Sequence, residues 1–196
     1  AMFHVFNASL KGRVDSIKNI SYLWNPKLNI YFIAAKETMN AGLIPKILAY
    51  AGSVSIERTW RSNGEDVNRK VKFSDISNIG KALNDGWVIT FPQGTITPFK
   101  PVRKGTAFLI KQYKPLVVPI VIDGFRRSFD KKGLRVKKKN ILQTMIIKEP
   151  LKIDYENEST DDIIDKIAHS IEQHETFLKV IPQNELNSES KLNKER

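Results

Sequence analysis

The sequence predicts an α/β fold, a single domain with a largely parallel central sheet flanked by helices. Two observations carry this. Short apolar runs rich in β-branched and aromatic residues recur along the chain. Between them lie segments with apolar residues at helical spacing, long enough to cross over between parallel strands. At 196 residues the chain has the length of one domain with a real core. The domain is expected over residues 1–181, and 182–196, almost wholly polar, read as a disordered tail.

In order, Met2 to Asn7 reads as a short first strand. Ile17 to Trp24 reads as a helix that stops at Asn25-Pro26, because the residue before proline avoids the helical region. Leu28 to Ala34 reads as a buried strand. Ala41 to Tyr50 has helical spacing, with Leu43, Ile44, Ile47 and Leu48 on one side and Pro45 near the first turn. Val54 to Ile56 is a brief strand. Ser74 to Asn84 is a helix capped by Ser74, with Ile76, Ile79 and Leu83 at core spacing. The Asp85-Gly86 turn leads into a strand ending at Phe91. A helix over Thr106 to Tyr113 follows, then strands over Leu116 to Ile122 and Asn140 to Lys148. The last element is an amphipathic helix over Thr160 to Leu178, capped by Ser159 or Thr160, with Asp161 and Asp162 at the positive end of its dipole. Its apolar stripe is Ile163, Ile164, Ile167, Ile171 and Phe177.

The formal charge of +11 favours an acidic partner: an anionic membrane surface, a nucleic acid or an acidic carrier protein. The absence of cysteine excludes a disulfide framework and thiolate metal sites, and fits a reducing compartment. No run approaches the roughly 18 apolar residues of a membrane span, and no signal-peptide pattern opens the chain. As written the chain reads as soluble or peripheral, and the expected location is cytoplasmic, peripheral at the inner membrane surface. Whether an anchor precedes Met2 is left open.

Ligands of such folds bind beyond the carboxyl ends of the strands. Those ends carry Asn7 to Arg13, Glu57-Arg58-Thr59-Trp60-Arg61, Pro92-Gln93-Gly94-Thr95 and Asp123-Gly124-Phe125-Arg126-Arg127. Arg103-Lys104-Gly105 follows the third. Arginines at strand ends suit a phosphate or carboxylate, or else simply solvate the surface. His169 and His174 lie five apart, too far around a helix to share a metal, and no metal site is expected. Asp161-Asp162 reads as capping charge. No glycine-rich phosphate loop occurs, so no nucleotide cofactor is expected. From Arg126 to Lys139 the chain sets eight cations (Arg126, Arg127, Lys131, Lys132, Arg135, Lys137, Lys138, Lys139) against Asp130, with Phe125, Phe129 and Leu134 interleaved. Such a hairpin-like element suits an anionic bilayer or an acidic carrier protein, or is an ordinary solvated loop. Nucleic acid is the competing partner, though no recognition helix, zinc finger or RNA-binding aromatic pattern supports it.

Several blocks, in order, resemble the lysophospholipid (1-acylglycerol-3-phosphate) acyltransferases of the glycerophosphate-acyltransferase superfamily. Phe91-Pro92-Gln93-Gly94-Thr95 is similar to that family's Phe-Pro-Glu-Gly-Thr, and Arg103-Lys104-Gly105 to its basic-Gly step. Val117-Val118-Pro119-Ile120-Val121 resembles its apolar-Pro block. Ile56-Glu57-Arg58 resembles its Ile-Asp-Arg, and Ile33-Ala34-Ala35-Lys36-Glu37 its Ala-Lys-Lys-Glu. The resemblance implies acyl transfer from acyl-carrier protein or coenzyme A to a lysophospholipid or other lipid hydroxyl. Arg58, Gln93, Gly94, Thr95, Arg103 and Lys104 would then be the substrate-binding residues. It departs from the family at the His-x4-Asp motif, where a histidine base is oriented by an aspartate. Asn7 and Gly12 stand there, or Ala8 in a shifted register; His4 and Asp15 are the nearest substitutes, at the wrong spacing. Gln93 replaces a carboxylate as well. The alternative is thus a catalytically inactive lipid- or partner-binding member of the same fold, and the second alternative a charge-driven nucleic-acid-binding protein.

Overall fold

The computed structural model describes residues 2–12, 28–39, 52–56, 61–62, 65–66, 73–95, 97–130 and 135–178. The chain forms two compact units, Ala1–Phe91 and Pro92–Arg196. The helices expected over 17–24 and 41–50, and the tail over 182–196, lie outside the described residues. So do Asp15, Arg58, Lys131, Lys132 and Leu134.

The first unit opens with a correction. Met2–Leu10 is a helix, α1, not a strand. Met2, Phe3, Val5 and Phe6 satisfy a period of two no better than one of 3.6, and Ala8 and Leu10 extend the run as strong helix formers. β1 (Ile30–Ala35), α2 (Lys36–Met39) and β2 (Ser53–Ile56) follow, then a small antiparallel pair, β3 (Arg61–Ser62) and β4 (Glu65–Asp66). α3 (Phe73–Asp85) and β5 (Trp87–Ile89) close the unit. The sheet is parallel, in the order β2-β1-β5, and its central strand is the apolar run Ile-Tyr-Phe-Ile-Ala-Ala. The strand is paired on both sides, with Ile30 buried and the rest half-buried, and such a central parallel strand carries a continuous apolar run rather than an alternating one. The α/β class is therefore what the chain adopts.

α3 packs on β2 and β5 and buries Ile79, Gly80 and Ala82, with Ile76 and Leu83 half-buried beside them. Ser74 lies one residue inside this helix rather than at its cap. At the other end Asp85 binds back to the start of β1. Its carboxylate accepts from Asn29 Nδ2 at 3.0 Å and from the Tyr31 hydroxyl. The bond to Asp85 also holds the Tyr31 hydroxyl above the ordinary tyrosine value. Gly86 is required at the turn, because a Cβ would stand 2.3 Å from the Asn29 carbonyl oxygen.

The second unit holds α4 (Lys104–Tyr113), β6 (Ile120–Asp123), the single turn α5 (Phe125–Ser128), β7 (Thr144–Ile147) and α6 (Thr160–Ser170). β6 and β7 pair antiparallel, so the sheet described here is parallel only in the first unit. α4 packs against α6 around Val102, Ala107, Ile110, Ile163 and Ile167, with Val117, Leu151 and Ile153 at the margin. Helical spacing delivers these residues: 107 and 110 on one helix, 163 and 167 on the other.

Ser159 caps α6 in a reciprocal box with Asp162. Its hydroxyl accepts the Asp162 N–H at 3.1 Å, while the Asp162 carboxylate accepts the Ser159 N–H at 3.0 Å. Hydrogen bonds from the Ser159 hydroxyl and amide hold the Asp162 carboxyl below its ordinary value. The Asp154 amide and the Lys166 ammonium do the same for Glu158. Both groups therefore bind protons more readily in the unfolded chain. Their contribution is complete above the ordinary carboxylate range, and it is lost as pH falls through the lowered folded values. Thermal melts between pH 7 and about pH 3 should show the midpoint falling in acid. Ser159→Ala should lower the neutral midpoint and flatten that fall.

α6 is shorter than the helix expected to Leu178. It ends at Ser170, Glu172 turns left-handed at φ 57, and a 3-10 turn follows over Glu175–Phe177. Gln173 N–H and His174 N–H both return to the Ala168 carbonyl, at 2.9 and 3.1 Å, which closes the helix. Phe177, read as part of the stripe, is exposed.

Candidate functional site

The Pro92–Lys104 segment is a loop closed by its own hydrogen bonds. Arg103 N–H donates to the Pro92 carbonyl at 2.8 Å, and Arg103 Nε to the Gln93 carbonyl at 3.2 Å. Gln93 Nε2 donates to the Lys100 carbonyl at 2.7 Å. Gly94 turns the chain at φ 62 and Phe99 at φ 55, and Thr95 Oγ1 accepts the Thr97 N–H at 3.2 Å. Gln173, from beyond α6, pins the loop by accepting Phe99 N–H at 3.0 Å and Gln93 Nε2 at 3.4 Å.

The loop borders an open cleft of about 450 Å³ lined by Gln93, Thr95, Lys100, Arg103 and Lys104 among others. Four of the expected binding residues thus share one wall, with Gly94 between two of them. Lys100 was missed by sequence reading; its place two residues before Val102 and three before Arg103 was the available signal. Arg58 lies outside the described residues.

The electrostatics of this wall run against local helix preference. α4 has no acidic residue in its first turn; Arg103 is its N-cap, with no side-chain capping bond, and Lys104 begins it. Cations at the positive end of a helix dipole cost about 0.3–1 kcal/mol each. A bound anion at that end would remove the conflict, because the dipole, Arg103 and Lys104 all attract it. Lys104 also lies 3.7 Å from Asp161, an exposed pair that contributes little.

Gln93 is more than a lost carboxylate. Its amide nitrogen donates to Lys100 and to Gln173, which a glutamate could not do.

The expected catalytic positions sit differently from the reading. Asn7 lies in α1 and is buried, 1% exposed, rather than at a strand end. Gly12 is in the turn after α1, at φ 64, where an added Cβ would meet nothing. His4 lies on α1 one turn before Asn7.

The basic segment is hairpin-like at its base. Phe129 and Val136 form an antiparallel bridge, and Asp130 N–H donates to the Arg135 carbonyl at 2.9 Å. Arg127 pairs with Asp123 at 2.6 Å. The Phe125 and Phe129 rings stack on each other at 6.2 Å rather than standing apart between the cations. Arg135, Lys137 and Lys139 are exposed and Lys138 half-buried; Arg126 belongs to α5.

The histidines correct the sequence reading. His169 and His174 are stacked at 3.8 Å, and Asp165 stands beside both. A spacing of five separates residues on a continuous helix, but this one has ended between them.

A family model described as Acyltransferase matches residues 13–123, more than half of the chain. Arg58, Gln93, Gly94, Thr95, Arg103 and Lys104 fall inside the match; Asn7 and Gly12 precede it. No curated protein and no solved structure matches the chain.

Proposed function

Because this chain belongs to the acyltransferase family, we propose that it transfers a fatty acyl group from acyl-carrier protein or coenzyme A to a hydroxyl of a lysophospholipid or similar lipid. The observation that carries the lipid part is the cleft walled by Gln93, Thr95, Lys100, Arg103 and Lys104 at the start of α4. Arg103 and Lys104 hold the acceptor's anionic group. The acceptor oxygen then attacks the thioester carbonyl; a C–O bond forms, the C–S bond breaks, and the hydroxyl proton ends on the departing sulfur, so the donor leaves as a thiol. Backbone N–H groups around Gly94 and Thr95 support the oxyanion. The basic segment from Arg126 to Lys139 faces an anionic bilayer or the acidic carrier protein.

One observation favours a second reading, a binding member of the family that does not turn over. Asn7, where the family resemblance puts its base, is a buried amide, and an amide accepts no proton near neutral pH. The experiment is a labelled transfer assay with both thioester donors and 1-acylglycerol 3-phosphate. Labelled diacyl product from the wild type establishes transfer. Product only from Asn7→His with Gly12→Asp makes the wild type the binding member. No product from either protein, and no retention of the lipid, contradicts both readings.

A further inference from the structure

Asp165, His169 and His174 converge where α6 ends. His169 is one turn beyond Asp165, and the reversal at Glu172 brings His174 back over them. His174 Nε2 stands 3.4 Å from Asp165 Oδ1, and His169 Nδ1 3.5 Å from Asp165 Oδ2. One donor atom from each residue lies within 4.8 Å of the other two. We propose that these three residues bind one divalent transition cation of the zinc class, with the remaining coordination positions open to water.

Three features support this beyond proximity. Ligand atoms about 2.1 Å from a tetrahedral ion lie roughly 3.4 Å apart, which is the separation Asp165 Oδ1 keeps from His174 Nε2, while His169 Nδ1 stands 3.5 Å from the other carboxylate oxygen. Two imidazoles with one carboxylate select a borderline cation over magnesium or calcium. His174 Nδ1 accepts the Thr176 N–H at 3.3 Å, so ligation through Nε2 requires the ring proton to move to Nδ1, where Thr176 Oγ1 at 2.9 Å can accept it. The site also sits at the negative end of the α6 dipole, which favours a positive charge. His174 adjoins Gln173, the residue that pins Phe99 and Gln93. A cation holding His174 therefore also steadies the support of the Pro92–Lys104 loop.

The chain has three histidines, His4, His169 and His174, which makes the test direct. Zinc chloride is titrated into the full chain without an affinity tag, with calorimetry and histidine-ring NMR as readouts. The expected result is one ion per chain, with the His169 and His174 signals shifting and His4 unmoved. Asp165→Asn and His174→Ala should each weaken binding by at least the roughly 10-fold that loss of an outer partner costs. Asp165→Asn leaves both rings in place, so it keeps the test decisive if His174→Ala disturbs the turn. Zinc that shifts only His4, or that binds wild type and Asp165→Asn alike, overturns the proposal.

Discussion

Shortening Ile163 to alanine should lower the stability of the protein by about 2–5 kcal/mol. Ile163 is fully buried, and it packs in the cluster that joins α4 to α6 with Val102, Ala107, Ile110 and Ile167. The loss has two parts: the transfer energy of the removed carbons and the cavity left behind. Relaxation cannot fill that cavity easily, because the buried neighbour Ala107 has almost no side chain to move into it. Chemical denaturation should show a lower midpoint with an unchanged slope. Ile164, half-buried at the margin of the cluster, should cost clearly less when shortened.

Removing the Arg103 side chain should weaken binding of an anionic lysophospholipid by about 10- to 100-fold, the range of a charged hydrogen bond. Stability should not follow affinity downward. Arg103 occupies the N-cap of α4, where a cation opposes the dipole, so alanine relieves one penalty while losing the bond to the Gln93 carbonyl. A variant that binds poorly and melts almost normally is the signature of a residue placed for a ligand. Lys104→Ala should have the smaller effect, because an ammonium meets an anion as a mobile point charge, whereas the guanidinium binds it through a fixed fork of donors. Added salt should reduce the wild-type affinity and narrow the gap between the two proteins.

Much of the fold was readable where one period dominated. The apolar run at Ile30, the stripe of Ile76, Ile79 and Leu83, and the pair Ile163 and Ile167 each admit one geometry, and β1, α3 and α6 follow them. Reading failed where short runs satisfy two periods. The apolar positions from Met2 to Phe6 fit strand or helix, and only the extension through Leu10 decides for the helix. The end of α6 was hidden because Glu172 enters the left-handed region without the glycine or asparagine that usually announces it. That single turn also concealed the histidine cluster, since spacing arguments assume an unbroken helix. That Gln93, Thr95, Arg103 and Lys104 share a cleft wall was legible in the sequence. The role of Gln93 was not, because its amide bonds to Lys100 and Gln173 depend on a loop closure that no local pattern encodes.

On the proposed function, the wall formed by Gln93, Thr95, Lys100, Arg103 and Lys104 should receive the anionic end of a lipid acceptor. Equilibrium binding of 1-acylglycerol 3-phosphate to the wild type and to Arg103→Ala, below the lipid's aggregation threshold, tests it most directly. Saturable wild-type binding that drops about 10- to 100-fold in the variant, with its melting temperature nearly unchanged, is the predicted result. Equal affinity in the two proteins would contradict the account.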